Sequence, residues 1–534
     1  MKAMRRFRLP LYMVSGVLAS LPIIFDSLPL LAWVSMVPVL ILELTADRSK
    51  KSAPIRAYGR GLLYFYFFGL GVFYWFIELY PLDFAGFTKG AALSVVLVAW
   101  LGLPLLQATL SALLFVIFDL FMRRLSLSKK PMLVPLVFAS LYPLFEFVQT
   151  LTWAGVPWAK LALTQTSFLP ALQSVSLLGP YFLSFIIVLV NGYIAAALLM
   201  LAAKKDSRTA AACFAVAAVV FSSNLLFGVI RMNVLSFDEG TPIRAAVLQG
   251  NVSSKEKWVD GADDLGIYSA LVKDAADDGA ELIILPESAL PYSLDYPNNP
   301  YLRSKISALA ENNGCELLVG GLETPDEDTL LNSMFYVGKD GEISPDTYVK
   351  RHLVPFGEYV PMRDFFMTVI PPLADLTMLS VDMSPGTETA VMQAEKAKIG
   401  CIICFDSIYE SLTRASVMDG AEIISVSTND SWFSDSKAIY EHNRHSVLRA
   451  VENCRYLMRA ANTGVSSFVS PFGEVISSTK PLVKDYLVAD VYPITDMTPY
   501  TVLGDVCLIA YALILGASIV YLTIKKHKTE RLGK

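Results

Sequence analysis

Long apolar runs, separated by short loops that collect charge, fill the first 230 residues of the chain. A helix needs about 20 mostly apolar residues to cross a bilayer. Stretches of this kind predict eight spans, at 9–25, 28–45, 61–78, 91–121, 131–150, 178–203, 209–229 and, after a long polar interval, 502–524. The first two are short, are divided by Asp26-Ser27, and read as a tight hairpin. The fourth is longer than a bilayer and is expected to tilt or project. From 231 to 500 the rhythm changes. Short apolar runs predict strands at Ile243–Gln249, Leu282–Leu285, Glu316–Gly320, Ser333–Gly338, Lys398–Cys404, Glu422–Val426, Ser466–Ser470 and Leu487–Val491. Helical periodicity falls between several of them, at 263–279, 300–313, 407–419 and 438–459. Runs such as Leu282-Ile-Ile-Leu285 and Ile423-Ile-Ser-Val426 suggest strands buried on both faces, as in layered α/β folds.

The expected architecture is therefore a multi-span α-helical membrane domain over 1–230 and an α/β domain over 231–500. A last span with its tail covers 501–534. Charge placement orients it. Lys and Arg gather at 2–8, 48–60, 123–130, 204–208 and 525–534, while the alternate loops 79–90 and 151–177 hold only Lys89 and Lys160. Basic loops stay on the cytoplasmic side, so both termini are expected inside and 231–500 outside. No small-residue cleavage site follows the first span, which reads as an uncleaved anchor. Composition agrees: 54% hydrophobic and 17% charged residues, against about 45–50% and 25% in soluble domains. The net charge of −5 offers no basic face for nucleic acid. Six cysteines are too few and too scattered for a disulfide framework in a chain of 534 residues. Within the spans, Glu146 and Asn191 are the clearest polar residues, and both read as hydrogen-bonding glue between helices.

Three segments of the α/β region carry chemistry. Glu287 lies in Leu282-Ile-Ile-Leu-Pro-Glu-Ser288, Lys350 in Tyr348-Val-Lys-Arg-His352, and Cys404 in Gly400-Cys-Ile-Ile-Cys-Phe-Asp406. Each ends a strand-like run. A thiol attacks as thiolate and needs a base or a nearby positive charge. Glu287 can supply the base if burial raises its pKa toward neutral. Lys350 can hold Glu287 by an ion pair and stabilise an oxyanion, with the backbone N–H of Phe405 as a second donor. Cys401 and Cys404 form C-x-x-C, but on one strand an offset of three puts them on opposite faces. His442 and His445, with Glu441, lie on an expected helix and make only a weak zinc-like pattern. No metal and no cofactor are expected.

These residues, with Lys350-Arg-His-Leu-Val-Pro-Phe-Gly-Glu-Tyr-Val-Pro361 and Asn429-Asp-Ser-Trp-Phe433, resemble the carbon–nitrogen hydrolase (nitrilase) superfamily. More narrowly they resemble its membrane-embedded branch, the apolipoprotein N-acyltransferases. Gly155-Val-Pro-Trp158, Gly179, Asn191 and Asn462-Thr-Gly464 are similar to that branch too. The resemblance implies a four-layer α-β-β-α sandwich outside a bacterial inner membrane, on the periplasmic side. It implies acyl transfer from a phospholipid, typically phosphatidylethanolamine, through a Cys404 thioester. The acceptor would be the N-terminal amine of an S-diacylglyceryl-cysteine apolipoprotein. Glu287 would be general base, Lys350 oxyanion stabiliser and Cys404 nucleophile, supported by Glu358, Phe405 and Asp406. Trp258, Trp432 and Asn429 would meet substrate. Asp406 stands where the family often has Glu, Ser434 where it has Gly, and Glu441-His442 where it has Gln-His.

The apolar stretch Phe365-Phe-Met-Thr-Val-Ile-Pro-Pro-Leu373 reads as a mobile arm, within 361–385, that dips into the interface and brings Phe365 and Phe366 to the lipid. The partners expected are a phospholipid donor, a diacylated acceptor and membrane lipid, with the enzyme a monomer and no nucleic acid involved. Two other readings remain at this point. A membrane-anchored amidase would pass the acyl group to water. A transporter or receptor with an external domain would have no use for an ordered Glu, Lys and Cys.

Overall fold

The structure is a computed structural model that describes residues 8–82, 87–125, 127, 130–203, 206–252, 263–295, 298–369 and 381–532. The side chains of 366, 367, 369, 523 and 525–532 lie outside that description. The chain divides into two compact units: Met1–Ile77, Leu97–Asn233 and Leu503–Lys534 in one, Glu78–Val96 and Val234–Val502 in the other.

The first unit is helical. Among the described residues, four helices are long and apolar enough to cross a membrane: Ala53–Glu78, Lys89–Met122, Pro180–Ala202 and Ser207–Val234. The remaining four predicted spans coincide with shorter apolar helices, Arg8–Ile24, Pro29–Leu44, Leu133–Val148 and Val506–Leu522. The second of these is not continuous. A 3-10 turn, Pro29–Trp33, precedes helix Val37–Leu44. Pro38 brings no N–H and its ring excludes a carbonyl one turn earlier, so a helix through this point is interrupted.

Asn191 repairs the break. Its amide N–H donates to the carbonyls of Ala32 and of Ile187, each at 2.9 Å, and its oxygen accepts from the Met36 N–H at 2.9 Å. In an apolar medium non-helical backbone survives only where such partners exist. Glu146 plays a similar part, accepting from the Leu161 N–H at 2.8 Å. A charged cluster that the hydropathy pattern conceals also binds these helices. Glu43 accepts from Tyr12 Oη (2.7 Å) and from Arg60 Nη2 (3.1 Å). Asp119 pairs with Arg48 at 3.0 Å and Arg123 at 3.1 Å. Both acids are fully buried.

The second unit holds two six-stranded sheets. Its strands are β1 Ile243–Gln249, β2 Leu282–Ile284, β3 Glu316–Asp326, β4 Thr329–Val337, β5 Ile343–Val349, β6 Val391–Gln393, β7 Lys398–Ile403, β8 Ile423–Thr428, β9 Leu457–Ala461, β10 Ser467–Val469, β11 Val475–Ser478 and β12 Asp485–Val491. The orders are β12-β1-β2-β3-β4-β5 and β11-β10-β9-β8-β7-β6. In each sheet two parallel pairings sit at the centre, β1–β2–β3 and β7–β8–β9, flanked by antiparallel strands. The two sheets thus repeat one plan. Alternation along the strands fills two cores. Ala245, Val247 and Ile284 share one with Ile399, Ile403 and Met458 of the other sheet. Ala246, Leu248 and Ile283 face Tyr268, Leu271 and Ile306 of helices Asp264–Asp277 and Pro300–Asn313.

Several boundaries differ from the sequence reading. The helix expected at 438–459 ends at Asn453, where Cys454 turns left-handed (φ 54°), and Leu457–Ala461 is the strand β9. Leu, Met, Arg and Ala favour helix locally, but pairing with both β8 and β10 overrides that preference. Strands β5, β6 and β11 are half-exposed or short and carried no apolar run to reveal them. Strand β7 stops at Ile403, one residue before its expected end, so the opposite-face argument for Cys401 and Cys404 does not apply.

Replacing Asn191 by Leu removes three hydrogen bonds and strands the Met36 N–H and the Ala32 carbonyl in an apolar layer. Each orphaned group costs about 1–3 kcal/mol. Thermal unfolding of the Asn191→Leu protein in detergent is expected to show a clear loss of stability, whereas Asn191→Gln loses less.

Candidate active site

In sheets with parallel strands, functional groups collect beyond the carboxyl ends. Here the ends of β2, β5, β7 and β8 deliver Glu287, Lys350, Cys404 and Asn429. Gly320 in β3 permits the approach of the Glu287 loop, because a Cβ there would meet the Pro286 carbonyl at 2.2 Å and the Ser288 nitrogen at 2.8 Å.

Lys350 is the hub. Its side chain is 1% exposed, and Nζ donates to Glu287 Oε1 at 2.8 Å and to Glu358 Oε1 at 2.7 Å. An ammonium has three N–H bonds, so one remains for another acceptor. Asn332 on β4 donates its amide to both Glu287 Oε1 (2.7 Å) and Glu358 Oε1 (3.2 Å). The backbone N–H of Asn429 holds Glu287 Oε2 at 2.8 Å, and that of Val354 holds Glu358 Oε2 at 2.7 Å. Glu287 is therefore fixed at both oxygens.

Cys404 begins the 3-10 turn Cys404–Ile408 with φ of +50°. A side chain in the left-handed region is held there by its surroundings, at about 1–3 kcal/mol, and such strain clusters at functional sites. The thiol is buried and within hydrogen-bonding reach of Glu287. Two residues on, Asp406 ties this turn to the Lys350 loop. Its carboxylate accepts from Tyr348 Oη at 2.8 Å and from the backbone N–H groups of His352 at 2.7 Å and Arg351 at 3.3 Å.

The charges are unequal. Burial pushes the Cys404 thiol well above its usual range, and the Glu287 charge adds to this. Burial also works against the Glu287 carboxylate, but Lys350 beside it and the Asn332 amide outweigh that and hold it below the ordinary value. Burial opposes the Lys350 charge as well, yet Glu287 and Glu358 raise it well above the usual range. Asp406 is pushed up to about 6, chiefly by burial. The resting site pairs a protonated thiol with an ionised carboxylate. The rise toward neutrality considered for Glu287 is not seen, because Lys350 and Asn332 outweigh burial.

The structure thus brings together Glu287, Lys350, Cys404, Glu358, Phe405 and Asp406. Asn429 joins them through its backbone, while its side-chain oxygen accepts from Asn462 Nδ2 at 3.1 Å. Trp432 sits, partly buried, on the short turn Asp430–Phe433 that follows Asn429. Phe365 is half-exposed on helix Arg363–Val369. The Phe366 side chain, Trp258 and 370–380 of the arm lie outside the described residues. Sequence reasoning missed Asn332 and Arg459, quoted Asp430 only as part of a motif and read His442 only as part of a weak metal-like pattern; all four are buried around the site. A polar Asn in the apolar run Leu330-Leu-Asn-Ser-Met-Phe335, and an Arg within Leu457-Met-Arg-Ala-Ala461, were the signals available.

Two family models match the chain: carbon-nitrogen hydrolase over 244–494, and the N-terminal domain of apolipoprotein N-acyltransferase over 15–193. The apolipoprotein N-acyltransferase of Geobacter metallireducens is 32% identical over 381 residues, covering 70% of this chain and 71% of that protein. Its counterpart in Gloeobacter violaceus is 29% identical over 479 residues, covering 89% and 86%. Among solved structures, an amidase from Nesterenkonia sp. is 18% identical, with a TM-score of 0.38 over 48% of this chain and 93% of its own.

Removing the hub cation leaves two buried carboxylates facing each other. Breaking a buried pair from one side costs about 3–5 kcal/mol. Lys350→Met is expected to unfold at markedly lower temperature at pH 7.5. The sign of its pH dependence follows from the charges. In wild type the depressed Glu287 stabilises the fold above the carboxylate range and loses that contribution as pH falls. In the variant the buried Glu287, stripped of its cation, binds a proton more readily folded than unfolded, so the deficit shrinks as pH drops toward 5. Thermal melts of both proteins from pH 8 to 5 check this.

Proposed function

The chain belongs to the apolipoprotein N-acyltransferase family, and from that premise we propose how it carries out lipoprotein N-acylation. It is an acyltransferase of lipoprotein biosynthesis, with membrane helices and a carbon–nitrogen hydrolase domain. In the proposed reaction the donor is a phospholipid such as phosphatidylethanolamine. Cys404 Sγ attacks the sn-1 ester carbonyl while Glu287 takes the thiol proton. The third N–H of Lys350 and the backbone N–H of Phe405 meet the oxyanion. Collapse expels the glycerol oxygen, which takes the proton from Glu287 and leaves as lysophospholipid. The α-amine of an S-diacylglyceryl-cysteine then attacks the thioester. It gives its proton to Glu287, which returns it to the departing thiolate.

The observation that carries this reading is the shared cation: one buried ammonium between two fixed carboxylates, with the strained Cys404 in reach of the first. Glu358 holds Lys350 from its other side and frees Glu287 from sole custody of that charge. Asp406 keeps nucleophile and cation in register. Trp432, Trp258 and the side chains of Phe365 and Phe366 are assigned to substrate contact, with the 361–385 arm covering the acyl chain.

We further place all eight apolar stretches across a bacterial inner membrane, with both termini cytoplasmic and 231–500 periplasmic. The alternation of basic and uncharged loops supports this arrangement. The enzyme is assigned as a monomer. An amidase would share the triad but discharge to water; the similarity to N-acyltransferases along both parts of the chain favours the transferase.

Incubating the full-length protein with phosphatidylethanolamine is expected to add one acyl chain to Cys404, seen by intact mass. Cys404→Ala and Glu287→Gln are expected to gain none. Adding a diacylated lipopeptide should discharge the adduct with formation of the triacylated product, while buffer alone leaves it in place. Rapid discharge in buffer would instead identify an amidase.

A further inference from the structure

A buried polar cluster meets Cys404 through its main chain. His442 Nε2 lies 3.3 Å from the Cys404 carbonyl oxygen and 3.1 Å from Ser407 Oγ, which donates to the same carbonyl at 2.7 Å. On its other side His442 Nδ1 is 2.8 Å from Asp430 Oδ1. Asp430 also accepts from Thr428 Oγ1 and from Arg459 Nη2, both at 2.9 Å. His442, Asp430 and Arg459 are at most 1% exposed. Gly464 makes room for this carboxylate, since a Cβ there would meet Asp430 Oδ2 at 2.1 Å.

Cys404 Sγ, a His442 nitrogen and an Asp430 oxygen also lie within 4.8 Å of one another, a spacing that suits a metal ion. The Arg459 guanidinium, 2.9 Å from the carboxylate and 3.0 Å from the imidazole, opposes a cation there. The cluster is better suited to another task.

A trans peptide is planar, and its C=O and the following N–H point in opposite directions. Fixing the Cys404 carbonyl against His442 and Ser407 therefore fixes the direction of the Phe405 N–H. That N–H lies in the first turn of a helix, where no intrahelical acceptor exists. The left-handed φ of Cys404 sets the plane at an angle that an unsupported residue rarely keeps.

We propose that His442, held by Asp430 and Arg459, is a positioning residue that locks the Cys404–Phe405 peptide so that the Phe405 N–H faces the oxyanion of the acyl-transfer step. This rests on Cys404 being the acyl-accepting nucleophile. His442 touches neither the substrate nor the attacking electron pair; it acts through the peptide.

Two rates on the full-length enzyme in detergent separate this role from a general one. Thioester formation from phosphatidylethanolamine builds an oxyanion. Alkylation of Cys404 by iodoacetamide, followed by peptide mass, does not. His442→Ala is expected to slow thioester formation about 100- to 1,000-fold, the effect of losing one oxyanion donor. Its alkylation rate should stay within about threefold of wild type. His442→Gln, which keeps an amide donor toward the carbonyl, should recover most of the loss. A parallel fall in both rates would assign His442 to thiol activation or folding, and unchanged thioester formation would leave the peptide plane independent of it. Either result overturns the proposal. If His442→Ala does not fold, Ser407→Ala is read the same way, with acylation slowed and alkylation unchanged. A wild-type enzyme that forms no thioester at Cys404 defeats the underlying reading before any variant is compared.

Discussion

One ammonium group sets the terms of this site. Lys350 is buried among apolar strands, and a lone charge there would be expelled or neutralised. Two carboxylates keep it charged, and it in turn keeps Glu287 ionised. The pair would be self-sufficient without Glu358. Burial, with the Glu287 charge beside it, keeps the neighbouring thiol protonated despite the nearby Lys350. A resting thiolate would be a third anion in a buried space. On the proposed reaction, the arrangement therefore keeps a weak base beside a protonated nucleophile until a carbonyl arrives to take up the charge.

The doubled sheet makes that cluster buildable. Each sheet supplies two central parallel pairings, and the ends of β2, β7 and β8 bring acid, thiol and a turn of polar backbone to one place. Lys350 comes from the end of an antiparallel strand, β5, and needs a further tie to be held. Asp406 provides it by binding the backbone of the two residues that follow the lysine. Asn429 similarly presents its N–H, not its side chain, to Glu287. Much of the site's precision is thus backbone geometry fixed by short buried side chains.

That is also why the site was only partly legible in the sequence. Glu287 and Cys404 stand out because each ends an apolar run, Lys350 because it follows the short strand-like Tyr348-Val349, and the two-sided apolar strands announce layers. Asn332, Asp430, His442 and Arg459 stand out less. Arg459 sits in Leu457-Met-Arg-Ala-Ala461, which reads as helix until its neighbours pair with it. His442 looked like half of a weak metal pattern because nothing local reveals that its partners are Asp430 and the Cys404 carbonyl. In the helical unit the apolar runs located the helices, but not the break at 34–36, whose meaning lies in Asn191, more than 150 positions away. Local pattern fixes elements; contacts across the chain decide which polar residues are satisfied.

On the proposed reaction, a low carboxylate pKa at Glu287 suits both halves of the cycle. In the first, a weak base takes a proton from a reluctant thiol, so transfer is favourable only as sulfur bonds to carbon and its proton affinity collapses. In the second, the attacking amine acquires a strongly acidic proton once it has joined the acyl carbon, and the same carboxylate readily receives it. The choice between water and amine therefore cannot rest with Glu287, Lys350 or Cys404, which treat both alike. It falls to whatever admits a lipid-bearing amine to the thioester and keeps bulk water from it, and the near-complete burial of all three residues is the first condition for that selection.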